Sequence, residues 1–129
     1  MRVAELVKKA QDELEFMPNV LRMASLAAEI KAIDLKALDV RELTIVADCF
    51  VICSAASEPQ FKAIYRAVKE GMKEIGVGPL HSEGELTGGW MILDYANIIF
   101  HIFREEAREY YDLDGLWGDA PLLELDLVL

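Results

Sequence analysis

Carboxylates and imidazoles are the side chains of this 129-residue sequence best suited to chemistry. Asp112 and Asp114 have the spacing of a metal-binding carboxylate pair, but they precede Gly115, and Asp commonly caps a turn in such a position. His81 and His101 have no third ligand at a recognisable spacing. The sequence therefore predicts no metal site, and we expect no resident cofactor.

A second pair, Asp94 and His101, could orient a general base. The two residues are diagonal neighbours in a predicted hairpin and are close enough to hydrogen-bond. The sequence places no nucleophile beside them, so we interpret His101 as structural support that holds Asp94. It contains neither a P-loop nor a nucleophile elbow. These observations predict a protein that is not an enzyme.

The two cysteines, Cys49 and Cys53, are the only thiols. Four residues of a strand separate Cα atoms by about 13 Å, whereas a disulfide needs about 4.4–6.8 Å. We expect buried, reduced thiols, which suit the cytoplasm. No apolar run is long enough for a membrane span, and the charged N-terminus does not resemble a signal peptide.

A hairpin is the element that positions most of these side chains. Two six-residue apolar runs, Trp90–Tyr95 and Ile98–Phe103, flank a two-residue connection, which indicates a tight turn. Alternation along the runs puts one wholly apolar face against the core. The opposite face mixes aliphatic side chains with Trp90, Asp94 and His101. This face either closes on itself through the Asp–His pair or meets a partner.

The net charge of −10 is distributed unevenly along the chain. Residues 1–80 contain 11 basic and 12 acidic residues, whereas residues 81–119 contain two and nine, a net charge of −7. Such a field repels nucleic acid and attracts basic partners. Because Trp and Tyr are common interface anchors, the acidic, aromatic half of the chain favours a binding protein and argues against direct nucleic-acid recognition.

Hydrophobic periodicity predicts the remaining elements. We expect helices at 3–15, 19–31, 58–75 and 105–111, strands at 32–38, 48–55 and 80–86 before the hairpin, and an edge strand or docked tail at 122–129. The helix at 58–75 begins with a capping box and carries the one positive surface, which we interpret as a solvated face. This order predicts a single α/β domain, 1–129, with a mixed sheet of about five strands and helices on both faces.

An ordered series of short matches resembles a known family. The series consists of Leu38–Leu43, Ala47–Ile52, Ser57 with Gln60, Glu83-Gly84, Gly89-Trp90, Leu93–Tyr95, His101–Phe103, Arg108, Tyr111–Leu113 and Leu116-Trp117. Over residues 22–121 the chain is similar to the ribosomal silencing factors, or Iojap family. At the hairpin turn, Ala96 and Asn97 stand where the family usually has Gly and Asp. The helical extension 1–21 and the tail 122–129 lie outside the resemblance.

The resemblance implies a nucleotidyltransferase-like fold that lacks catalytic carboxylates. It implies a cytoplasmic protein that binds the large ribosomal subunit at ribosomal protein L-fourteen, blocks joining of the small subunit and represses translation. A homodimer is compatible with this role. The expected partner-binding residues are Glu83, Gly84, Trp90, Asp94, Tyr95, Glu105, Tyr111 and Trp117. The alternative is a small, nucleotidyltransferase-like metal-dependent enzyme that uses Asp94, or Asp112 with Asp114.

Overall fold

The computed structural model describes residues 2–85 and 87–127. The helices are α1 (Val3–Asp12), α2 (Met17–Glu29), α3 (Glu58–Lys73), α4 (Glu105–Tyr111) and α5 (Leu113–Leu116). The strands are β1 (Ile33–Asp39), β2 (Cys49–Ala55), β3 (His81–Glu85), β4 (Trp90–Asp94), β5 (Ile98–Arg104) and β6 (Leu122–Leu123). The sequence did not predict α5. No helix within the described ranges is long and apolar enough to cross a membrane.

The described strands form one six-stranded mixed sheet in the order β3-β4-β5-β2-β1-β6. The central strands β2 and β5 are parallel, and all other pairs are antiparallel. The α/β mixed sheet is thus confirmed, with one strand more than expected. The extra strand is β6, which pairs with β1 and confirms the edge-strand alternative for the tail. Residues 128–129 of that prediction lie outside the described residues.

Strand β2 separates two hydrophobic cores, and all seven of its residues are buried. Cys49, Val51 and Cys53 pack with residues of α2 and α3. Phe50 and Ile52 pack on the other face, with residues of α4 and the segment that follows it. Helices therefore cover both faces, as predicted. Both thiols are outside any disulfide, and burial raises their pKa to about 12, so they remain protonated.

The helix starts differ from expectation in one case. The Ser57 hydroxyl accepts a hydrogen bond from the Gln60 N–H at 3.2 Å, which confirms this residue as the N-cap of α3. Helix α2 begins at Met17, two residues before the predicted start at residue 19. Pro18 lies within the first turn, where the missing N–H costs no helical hydrogen bond.

The hairpin forms in the predicted register, with Leu93 opposite Phe100. Its turn is strained: Ala96 has φ +71°, in the left-handed region that favours glycine. The Asn97 N–H donates to the Tyr95 carbonyl at 3.0 Å, two residues back, which closes the chain within three residues. An alanine at this position of the turn therefore has a conformational cost.

Candidate partner-binding face

Trp90, Ile92 and Asp94 are half-buried side chains on one side of β4. Strand β3 pairs with β4 so that Glu85 is opposite Trp90 and Glu83 is opposite Ile92. Paired residues project from the same face of a sheet, and all of β3 is exposed. We call this surface the acidic aromatic face, and it consists of Glu83, Glu85, Trp90, Ile92, Asp94 and Tyr111.

Trp90 is held in place from three sides. Its ring stacks on Phe103 with centroids 4.9 Å apart and lies 4.9 Å from the ring of Tyr111. Its Nε1–H donates a hydrogen bond to Nδ1 of His101 at 3.2 Å. The indole is therefore a pre-positioned, partly exposed aromatic surface, and binding would order little that is not already ordered.

His101 supports Trp90 and not Asp94, so the predicted Asp–His pair is wrong. His101 is 4% exposed, and burial lowers its pKa to about 3, which keeps the imidazole neutral. Because Nδ1 accepts from Trp90, the ring proton is on Nε2, which has no hydrogen-bond partner among the described residues. His101 therefore accepts a hydrogen bond from Trp90 instead of holding Asp94 as the sequence had predicted.

Asp94 uses its carboxylate locally. One oxygen accepts from the Ala96 N–H at 2.7 Å and so supports the hairpin turn. The other lies 3.4 Å from Nε2 of His81, which also lies 3.0 Å from the carboxylate of Glu83. This exposed His81 thus joins two of the acidic side chains of the face.

A chain of aromatic contacts extends the acidic aromatic face across the sheet. Phe50 makes edge-on contacts with His101, at 4.9 Å between centroids, and with Trp117, at 5.1 Å. Tyr111, which is 45% exposed, covers the other end beside Trp90. The structure therefore brings Trp90, Tyr111 and Trp117 to the same side of the sheet, although 27 residues separate the first from the last in the sequence.

Tyr95 does not lie on this face. It is 7% exposed and packs in the core under α2 and α3, where burial raises its pKa to about 12. A side chain this deeply buried offers no surface to a partner, so the prediction of Tyr95 as a partner-binding residue is wrong. Successive side chains of a strand alternate between faces, and Tyr95 follows Asp94 directly. This alternation was readable in the sequence.

Gly84 and Glu105 belong to the surroundings of the face. Gly84 has φ +101°, and a Cβ there would collide with the Trp90 carbonyl oxygen and lie 2.9 Å from Cα of Met91. Gly84 thus allows β3 to approach β4 closely and positions the strand that carries Trp90. Glu105 is exposed in the first turn of α4 and lines a cleft with Arg108. It lies at the rim, outside the acidic aromatic face.

Arg108 organises a second polar cluster beneath this rim. Its guanidinium donates to both carboxylate oxygens of Asp114, at 2.9 and 3.1 Å, and to the Ser54 hydroxyl at 2.9 Å. It also donates to the Asp34 carbonyl at 2.8 Å. Hydrogen bonding to Arg108 holds the pKa of Asp114 at about 2. This one side chain joins β1, β2, α4 and α5.

The carboxylates of the alternative metal site have structural roles. Asp114 pairs with Arg108 and with Lys36, whose Nζ is 3.2 Å away. Asp112 accepts from the Gly115 N–H at 3.1 Å and caps α5, which confirms the capping interpretation of the sequence. Within residues 2–85 and 87–127, no group of three or more His, Cys, Asp and Glu is arranged to hold a metal ion.

Comparison with known proteins decides the family. A family model described as "Ribosomal silencing factor during starvation" (RsfS) matches residues 13–128. The chain belongs to the ribosomal silencing factor family. The RsfS of Bacillus subtilis is 38% identical over 109 residues, which cover 84% of this chain and 92% of that protein. The chloroplastic protein Iojap of Zea mays is 31% identical over 118 residues, 91% of this chain and 51% of that protein.

A solved structure agrees with this family assignment. A crystal structure of a protein from Chromobacterium violaceum superposes with a TM-score of 0.77 at 30% identity, covering 81% of this chain and 88% of that one. The resemblance to silencing factors that the sequence suggested is confirmed. The names of the family and of these relatives describe a regulatory role and not a catalysed reaction.

The sequence-based set of site residues omitted two members of the acidic aromatic face. Ile92 is at its centre and Glu85 is beside Trp90. Ile92 alternates in step with Trp90 and Asp94, so period-2 spacing was a sufficient signal for it. Placing Glu85 on this face requires the register between β3 and β4. Neither the resemblance to silencing factors nor the periodicity of the sequence specifies that register.

Proposed function

We propose that this ribosomal silencing factor binds the large ribosomal subunit at ribosomal protein L-fourteen through the acidic aromatic face. In this proposal the bound protein sterically blocks joining of the small subunit and so represses translation. Family membership supports a ribosome-associated, translation-silencing role. The observation that carries the choice of surface is Trp90, a pre-positioned indole bordered by carboxylates on β3 and β4.

The two kinds of side chain on this face have different tasks. Trp90 and Ile92 supply apolar area that leaves water on binding, the larger source of affinity. Glu83, Glu85 and Asp94 supply negative charge, which attracts a basic ribosomal protein and accelerates association. Binding is therefore expected to weaken as salt screens the exposed carboxylates, because the screening length falls to about 8 Å at 0.15 M.

Steric blocking requires a folded, well-anchored protein and no chemical step. A second copy that covered the same face would compete with the ribosome, so a homodimer would be an inactive store of the factor. The cytoplasm, where the large subunit meets the small one, is the proposed site of action.

Co-sedimentation with purified large subunits tests this proposal. Trp90→Ala combined with Asp94→Lys should abolish co-sedimentation while the circular dichroism spectrum stays that of the wild type. Glu83→Lys with Glu85→Lys changes exposed residues only and should weaken binding without affecting the fold. Glu29→Lys, an exposed charge reversal on α2, is the matched control and should bind normally. Undiminished co-sedimentation of the first variant would exclude this face.

A further inference from the structure

One side of α3 is positive although the chain has a net charge of −10. Lys62, Arg66, Lys69 and Lys73 recur every three or four residues, so they project from the same side of the helix. They line a cavity of about 480 Å³ beside Met91 of β4. We call this surface the α3 groove. All four cationic side chains are exposed.

Most acids near the α3 groove are already paired. Glu58 forms an ion pair with Lys62 at 3.3 Å, and Glu74 forms one with Arg22 at 3.3 Å. Within the described part of the chain, Arg66, Lys69 and Lys73 form no ion pair, and Glu70 is the acid that remains among them. Three unpaired cations lie together in a chain with 23 acids and 13 bases. The groove thus keeps a local positive field.

The shape of the α3 groove favours an extended anion. From Lys62 to Lys73 the helix rises by about 16 Å, which is several times the length of one phosphate group. The Lys69 ammonium lies 5.6 Å from the centre of the Tyr65 ring and covers its face. That ring is therefore engaged in holding a cation, which favours contacts to phosphates over stacking with bases.

The α3 groove and the acidic aromatic face are on opposite sides of the sheet. Met91 lines the groove, whereas its neighbours Trp90 and Ile92 lie on the acidic aromatic face. Two partners of opposite charge can therefore bind at once. On a large ribosomal subunit, the complement of the acidic face is a basic protein, and the complement of the groove is RNA phosphate.

We propose that the α3 groove binds the phosphate backbone of large-subunit ribosomal RNA. This inference rests on the proposed docking to the large subunit, which brings RNA within reach. It replaces the interpretation of the α3 cations as a merely solvated face, and it adds a nucleic-acid contact to a chain whose overall charge opposes one. Because Lys and Arg at this surface would contact phosphates, the binding is independent of RNA sequence.

The direct test is fluorescence anisotropy with a labelled 12-base-pair RNA duplex and the full chain. Wild-type binding should weaken with salt, with a slope of log K against log salt of about −2 to −3. Lys69→Gln with Lys73→Gln should weaken binding by about tenfold and make the slope shallower by 1–2, roughly one for each lysine removed. Arg2→Gln with Lys9→Gln removes the same charge from exposed positions of the N-terminal segment and should stay within about twofold of wild type.

Three results would overturn the proposal. They are no duplex binding by the wild type at low salt, equal losses in the groove variant and its control, or saturable binding of tripolyphosphate without binding of RNA. Binding to isolated ribosomal protein L-fourteen distinguishes a failure of this inference from a failure of the proposed function. The groove variant should bind that protein normally, whereas the Trp90→Ala, Asp94→Lys variant should lose it and still bind the RNA duplex.

Discussion

Replacement of Arg108 by Met should cost several kcal/mol of folding stability. Arg108 is 8% exposed. Its guanidinium connects Asp114, the Ser54 hydroxyl and the Asp34 carbonyl. Methionine keeps an apolar stem in the same space but removes every one of these donors. The Asp114 carboxylate would then keep only Lys36, at 3.2 Å.

The magnitude follows from what is left unpaired. Removing one partner of a buried ion pair costs about 3–5 kcal/mol, which includes the desolvated group left behind. The Asp114 side chain is 27% exposed, so water recovers part of this loss. Ser54 is 3% exposed, and its buried hydroxyl loses a hydrogen bond, which costs about 1–3 kcal/mol. We therefore expect a total loss of about 3 kcal/mol, at the lower end of the range for a buried pair.

Urea unfolding followed by circular dichroism measures this loss, with Ser54→Ala as a smaller control. The pH dependence adds an independent signature. The pKa of Asp114 is about 2 in the folded protein, below its ordinary value of 3.8. Its contribution is therefore complete above pH 4 and is lost as the pH falls toward 2. Arg108→Met removes the cause of this shift, so its stability should fall less steeply than that of the wild type in this range.

Two results would refute this reasoning about Arg108. One is a loss of stability below about 1 kcal/mol, which is the size expected for a solvent-exposed pair. The other is an unchanged slope of stability between pH 4 and pH 2. A double-mutant cycle with Asp114→Asn should give a coupling energy above about 1.5 kcal/mol, as for other hydrogen bonds to charged groups.

Three further substitutions test single features of the fold. Ala96→Gly should raise the free energy of unfolding by about 1 kcal/mol by relieving the left-handed turn, and a loss of stability in urea unfolding would contradict the strain. Gly84→Ala should lower the free energy of unfolding by at least about 1 kcal/mol and weaken partner binding, because the added Cβ would collide with the Trp90 carbonyl. Wild-type stability together with wild-type binding would refute the positioning role of Gly84. The pKa of buried His101 is about 3, below its ordinary 6.5, so wild-type stability should fall below pH 6.5 by up to ~1.4 kcal/mol per pH unit. His101→Phe should remove that dependence, and an equal slope in both proteins would contradict burial of a neutral imidazole.

The hairpin and its register could be predicted because they depend on neighbouring residues. Alternation and a two-residue turn fix which side chains share a face, and this placed Trp90 beside His101, on the face opposite the core that α2 and α3 cover. The partner of His101 could not be predicted in this way. Trp90 and Asp94 are both diagonal neighbours, and the choice depends on which side chain reaches the imidazole in the packed sheet.

The hydrogen-bond partners of Arg108 could not be predicted from the sequence. Its partners Ser54 and Asp34 are 54 and 74 residues away. No local pattern indicates that these groups meet, because their contact requires β1, β2 and α4 to be assembled first. The α3 groove is a different case. Its cations were visible as a helical stripe, but only the three-dimensional structure shows that Arg66, Lys69 and Lys73 form no ion pair with any of the residues it describes.

Calorimetry tests most directly the central claim that the acidic aromatic face is the docking surface. Isolated ribosomal protein L-fourteen is titrated into the wild type and into an Ile92→Lys variant. Ile92 is half-buried at the centre of the acidic aromatic face, and a lysine there would place a positive charge against a basic partner. We expect saturable binding of one partner per wild-type chain and a loss of at least about 100-fold in the folded variant. Equal affinities for the two proteins would contradict the assignment of this face as the docking surface.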